Sequence, residues 1–196
     1  MNKQVEFFFD VGSPTSYLAW TQLPALCERA GAALVYRPML LGGVFQATGN
    51  ASPAAVPAKA RYMDVDMARF ARRYGVPLAR NPFFPVNTLT LMRGATGAQL
   101  RAPERFLDYL RGVFHAMWVE PKNLNDPAIA AQALAAAGFD PAEVMGWAND
   151  ADVKAALRAT TEEAVARGVF GAPTMFVGHE MFFGQDRLEF VREALG

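Results

Sequence analysis

The spacing of apolar residues changes twice along the chain and divides it into three stretches. Val5 to Phe9 is rich in β-forming residues and stops at Asp10-Val11-Gly12, which predicts a first strand. Ser13-Pro14 follows, an N-cap hydroxyl with proline at the first helical position. Tyr17, Leu18, Leu23 and Leu26 then recur at roughly helical spacing, up to Gly31 as a C′ residue. Pro24 removes one backbone hydrogen bond inside that helix and predicts a kink near it. Ala33 to Arg37 returns to strand character, so the opening stretch reads as a βαβ unit, parallel and right-handed.

From Pro57 to Gly168 the period is helical. Met63, Met67, Phe70 and Tyr74 form one amphipathic face closed by Gly75, and Phe106, Leu110, Val113 and Met117 form another after Pro103. Asp126-Pro127 opens a helix that Gly138 closes, and Asp140-Pro141-Ala142-Glu143 has the form of a capping box. A further helix runs through Val153, Leu157 and Val165 to Gly168. Leu41 to Pro57 reads as a loop of mostly small and apolar residues. β-formers return at Thr174 to Val177 and Met181 to Phe183, followed by a helix from Asp186 to Ala194. The order βαβ, helices, ββα predicts an α/β, thioredoxin-like fold with a helical subdomain inserted after the second strand. The expected division is 1–45 with 169–196 as the discontinuous thioredoxin-like domain, and 46–168 as the helical insertion.

Composition narrows the function classes. The 196 residues are 52% hydrophobic and 19% charged, enough apolar surface for a packed core. Lys plus Arg equals Asp plus Glu at 19 each, so no basic excess points to nucleic acid or an anionic membrane. Glu6 and Asp10 bracket Phe7-Phe8-Phe9, which breaks both a membrane span and a signal-peptide core. Cys27 is the single cysteine, so no intrachain disulfide forms, which suits a cytoplasmic protein. Its mid-helix place suggests a small buried filler. His115 and His179 are isolated, and no ligand spacing for a metal appears. Trp20, Trp118 and Trp147 read as core or interface packing.

Four local features bear on chemistry, each with a bland alternative. Ser13-Pro14-Thr15-Ser16 is at least a helix cap. A helix N-terminus also favours an anion or thiolate, and redox proteins of this fold carry Cys-Pro-x-Cys there. With serine at both cysteine positions, the sulfur must come from outside, and glutathione is the natural donor. Ser13 is then the hydroxyl that donates to the sulfur, with Ser16 a weaker candidate. Gly171-Ala172-Pro173-Thr174 enters a strand, where proline is unremarkable. In this fold it is also where a cis-proline lies beside the nucleophile, so that Ala172 offers its N–H and C=O to an extended peptide. Phe183-Gly184-Gln185-Asp186-Arg187 is a helix start. It also offers Gln185 and Asp186 to the γ-glutamyl end of glutathione, while Arg187 holds either the glutathione carboxylate or Asp186. Gly49-Asn50, with Pro57-Ala58-Lys59 and Tyr62, supplies an amide and a lysine. Each taken singly reads as surface.

In this order, together with Phe7-Phe8-Phe9-Asp10, Tyr17-Leu18-Ala19, Asn87-Thr88, Met92-Arg93 and Val169-Phe170, these strings resemble the 2-hydroxychromene-2-carboxylate isomerase family and its relatives, the kappa-class glutathione transferases. The resemblance covers nearly the whole chain. It implies a homodimer and a glutathione site built from Ser13, the Ala172 backbone, Gln185 and Asp186, with Asn50 and Lys59. It also implies cis–trans isomerisation of a conjugated aromatic pyruvate by reversible thiolate addition. For the substrate carboxylate the sequence offers Arg37, Lys59, Asn87 and Arg93. The alternatives are a kappa-like transferase or peroxidase, and a non-catalytic glutathione-binding protein. A disulfide oxidoreductase is disfavoured because the two-cysteine relay is missing.

Overall fold

The computed structural model describes residues 3–196. Strand β1 (Gln4–Phe9), helix α1 (Pro14–Ala30) and strand β2 (Ala33–Pro38) form the expected unit, with β1 and β2 parallel from Gln4↔Ala33 to Phe9↔Pro38. Among the described residues seven α-helices separate it from the second half, the first six being α2 (Leu41–Thr48), α3 (Pro57–Tyr74), α4 (Leu89–Arg101), α5 (Phe106–Trp118), α6 (Pro127–Ala136) and α7 (Pro141–Asn149). The last of the intervening helices, α8 (Ala151–Ala166), leads into β3 (Thr174–Val177) and β4 (Glu180–Phe183). A 3-10 turn at Gln185–Arg187 then leads into α9 (Leu188–Leu195). The sheet order is β2-β1-β3-β4, with β3 antiparallel to both of its neighbours.

β1 lies inside the sheet and is covered on both faces, which is why Phe7, Phe8 and Phe9 are all fully buried despite strand alternation. Phe7 and Phe9 point into the larger core, stacked with centroids 5.1 Å apart, and Phe9 meets Phe114 of α5. Phe8 points into the smaller core with Met39, Val44, Ala164, Val169 and Phe176. Arg167 closes this second face, its guanidinium 3.8 Å from the Phe176 centroid and paired with Glu6 at 2.8 Å. No helix among the described residues is long and apolar enough to cross a membrane.

Several expectations need correction. Leu41 to Thr48, read as loop, is helical despite Gly42 and Gly43. Val44 is buried in the smaller core and Leu40 N–H donates to Thr161 Oγ1 of α8 at 3.0 Å, so tertiary contacts override weak local propensity. α4 lies within the helical stretch, but no periodic stripe marked it out. Its Gly94 and Gly97 are small because an added Cβ would collide with Tyr109 and Trp147. At α7 only half of the capping box forms. Asp140 accepts from Ala142 N–H at 2.9 Å, and among the described residues Glu143 makes no return bond. The second strand extends through Pro38, and the fourth begins at Glu180. As expected, α1 runs through Pro24 to Ala30 and is closed by Gly31 in the left-handed region. α2, which holds residues 45 and 46, packs with α8.

Candidate functional site

The site is built at the end of β1, where the backbone must turn into α1. That turn is fastened by several hydrogen bonds. Val11 N–H points at Met92 Sδ (3.3 Å), and the Val11 carbonyl accepts from Trp118 Nε1 (2.8 Å). Gly12 N–H donates to Asp10 Oδ1 (2.8 Å), and Ser13 N–H donates to the Asp10 carbonyl (3.0 Å). Gly12 has to be glycine, because a Cβ there would lie 2.7 Å from Thr88 Cγ2. Asp10 itself is buried. Its Oδ2 accepts from Leu41 N–H at 2.9 Å and from Thr88 Oγ1 at 3.0 Å, so one carboxyl ties β1 to the starts of α2 and α4. Burial raises its pKa, and the bonds from Gly12, Leu41 and Thr88 oppose that rise.

Ser13 caps α1, with Oγ accepting from Ser16 N–H at 3.1 Å. The same oxygen lies 3.0 Å from the Ala172 carbonyl, to which it donates, and 2.9 Å from Thr15 Oγ1. Thr15 Oγ1 also reaches the Ala172 carbonyl, at 3.2 Å. The Ala172–Pro173 peptide bond is cis. Two hydroxyls from the first turn of α1 therefore converge on the backbone before the cis-proline, across 159 and 157 residues of sequence.

This changes one expectation and refines another. The Ala172 carbonyl is satisfied by Ser13 and Thr15, and only its N–H lacks a partner among the described residues. Ser16 is fully buried, with its hydroxyl unpartnered among the described residues, so it does not face a ligand beside Ser13. Thr15 was missed. The only signal for it in the sequence was a third hydroxyl within the Ser-Pro-Thr-Ser string.

The other expected residues divide into those brought to this place and those left outside it. Asn50 Nδ2 donates to the Phe170 carbonyl at 2.8 Å, tying the segment before α3 to the cis-proline loop. Gly184 N–H donates to the Pro173 carbonyl at 3.0 Å, which sets Gln185 and Asp186 beside that loop. Gln185 is buried, and its carbonyl accepts from Tyr74 Oη of α3 at 2.8 Å. A small cleft of about 70 Å³ lies between α3 and this turn, bordered by Arg73, Tyr74, Gln185, Asp186 and Glu189. Burial pushes the Tyr74 phenol up to about 12. Of the two roles open to Arg187, the structure has it on Asp186, at 2.7 Å.

Lys59 is exposed in the first turn of α3 and makes no ion pair among the described residues. Asn87 is exposed, and its Oδ1 accepts from Leu89 N–H at 3.1 Å, so its side chain starts α4 rather than reaching Ser13. Arg37 is paired with Glu163 over Phe8, on the far face of the sheet. Cys27 is buried in α1, and burial pushes its thiol up to about 11. Among the described residues no cluster of His, Cys, Asp and Glu could hold a metal ion.

Known proteins resemble the chain over nearly its whole length. Residues 4–196 match the DSBA-like thioredoxin domain. The chain is 31% identical over 200 residues to the 2-hydroxychromene-2-carboxylate isomerase of Sphingobium xenophagum, covering 100% of this chain and 99% of that protein. It is 30% identical over 207 residues to glutathione S-transferase kappa 1 of Homo sapiens, covering 99% of this chain and 91% of that one. Among solved structures, a 2-hydroxychromene-2-carboxylate isomerase superposes with a TM-score of 0.86 at 31% identity, over 98% of this chain and 94% of that one.

Proposed function

Because the chain belongs to the DSBA-like thioredoxin-domain family, in the branch of the 2-hydroxychromene-2-carboxylate isomerases and kappa-class glutathione transferases, we propose that it is a glutathione-dependent cis–trans isomerase of 2-hydroxychromene-2-carboxylate-type aromatic acids. The observation that carries this reading is the Ser13 hydroxyl, 3.0 Å from the carbonyl before the cis-proline at the mouth of α1. The chain's own sulfur is no substitute, because Cys27 is buried with its thiol held protonated.

The surroundings suit the tripeptide. The free Ala172 N–H is a donor for an extended backbone. Asp186 and Glu189, beside the small cleft, suit its ammonium, with Gln185 adjacent. Lys59 is a cation available to a carboxylate, and Asn50 holds the loop. Glutathione, when bound, supplies a thiolate that makes a double bond transiently single. Ser13 gives that sulfur a hydrogen bond at the positive end of α1. As its proton leaves the Ala172 carbonyl, Thr15 remains to satisfy that carbonyl, so the turn costs no orphaned acceptor. We place the protein in the cytoplasm as a homodimer. The exposed Tyr62 and Val65, three residues apart on α3, are apolar surface for such a contact.

The test is Ser13→Ala. Turnover of a hydroxychromene carboxylate is expected to fall about 100-fold, with only about 1 kcal/mol lost from stability with the cap. Unchanged turnover leaves Ser13 as a cap only and removes the mechanism. Kappa-like conjugation is the second reading, favoured by the likeness to that class. Free thiol counted during turnover separates them, since isomerisation returns glutathione and conjugation consumes it.

A further inference from the structure

A second cavity lies away from Ser13. It is a groove of about 730 Å³ between α2, α8 and the start of α4, a volume typical of sites for small organic ligands. None of Ser13, Ala172, Gln185 and Asp186 lines it. α8 faces it with two adjacent stripes, each at a spacing of four residues. Leu157, Thr161 and Val165 form the apolar floor, and Lys154, Arg158 and Glu162 form a charged rim. Opposite, Leu40, Gly43, Gln46 and Ala47 make the other wall, with no side chain at Gly43 and only a methyl at Ala47, which leaves a slot beside α8.

The rim charges are unspent. Arg93 of α4 is half-buried, yet it makes no ion pair or hydrogen bond among the described residues, and neither do Lys154 and Arg158. Three cations against one carboxylate give the rim an excess positive charge over an apolar slot. A half-buried guanidinium with no protein partner among the described residues is free to pair with an anion in the groove. We propose that the groove binds a planar aromatic carboxylate, its ring in the slot and its carboxylate on Arg93 and Lys154. The inner end of the groove, at Leu40 and Leu89, adjoins Leu41 and Thr88, the two residues that hold Asp10 Oδ2. Asp10 does not line the groove, but through Leu41 and Thr88 it ties the neighbours of Leu40 and Leu89 to the Ser13 turn. The binding does not rest on the proposed function, because none of the residues given to glutathione lines the groove.

The test is calorimetric titration of the whole protein with 1-naphthoate in the absence of glutathione, with 1-naphthalenemethanol as the neutral control. One naphthoate per chain is expected, bound at least 10-fold tighter than the alcohol. Arg93→Met is expected to abolish that preference. Ala47→Phe, on the exposed side of α2, fills the slot and is expected to block both ligands while leaving glutathione binding intact. Absence of naphthoate binding to the wild-type chain overturns the proposal, and so does binding that neither substitution alters. Loss of glutathione binding in the wild type would instead count against the proposed function, so the two failures are distinct.

Discussion

At the scale of single residues, the site depends on where each proton and lone pair is committed. Asp10 accepts three hydrogen bonds and is buried, and the net effect of burial is to favour its protonated form. Asp10→Ala leaves Gly12 N–H, Leu41 N–H and the Thr88 hydroxyl without this partner, a loss of roughly 3 kcal/mol or more. The pH dependence has a definite sign. A carboxyl whose folded pKa is raised stabilises the fold fully below its unfolded pKa, and the gain is lost as pH rises through the folded value. Denaturant titrations should therefore find the gap between wild type and Asp10→Ala widest in acid and narrowing as pH rises. These roles were only partly legible beforehand. Ser13 announces itself through Ser-Pro at a strand end. Thr15 and Asp10 do not, because their partners lie across the fold at Ala172, Leu41 and Thr88.

At the scale of elements, the sequence is readable wherever a local rule decides. β1, α1, β3 and β4 carry strand composition, a proline-backed cap and turn residues, and they occur close to where the pattern puts them. α2 and α4 are glycine-containing helices that exist because of what they pack against, and their signals are correspondingly weak. α4 shows the physics most clearly. In an exposed helix Gly→Ala gains about 1 kcal/mol. At Gly97 the added Cβ would meet Trp147 Cβ at 2.5 Å, a stem rather than a flexible tip. Gly97→Ala should therefore destabilise by about 1–3 kcal/mol in chemical denaturation, the overpacking cost prevailing over propensity. A gain in stability would mean that α4 and α7 are free to move apart.

At the scale of the whole molecule, two cores on either side of one sheet hold the start of α1 against a loop that lies more than 150 residues later in the chain. The turn before Ser13 is fastened by Met92 of α4 and Trp118 of α5, both from the helical segment between the two halves of the sheet. That segment thus fixes the position of a hydroxyl it does not contain. The consequence is a hydroxyl oriented in advance for an incoming sulfur, a geometry that lowers the energy of an anion without reorganisation. The most direct measurement is the ultraviolet absorbance of glutathione thiolate bound to the protein, followed against pH, in wild type and in Ser13→Ala. The wild type should hold the bound thiol well below its free value of about 8.5, and Ser13→Ala should move it back toward that value. A bound thiol that ionises at the same pH in both proteins would contradict the role given to Ser13.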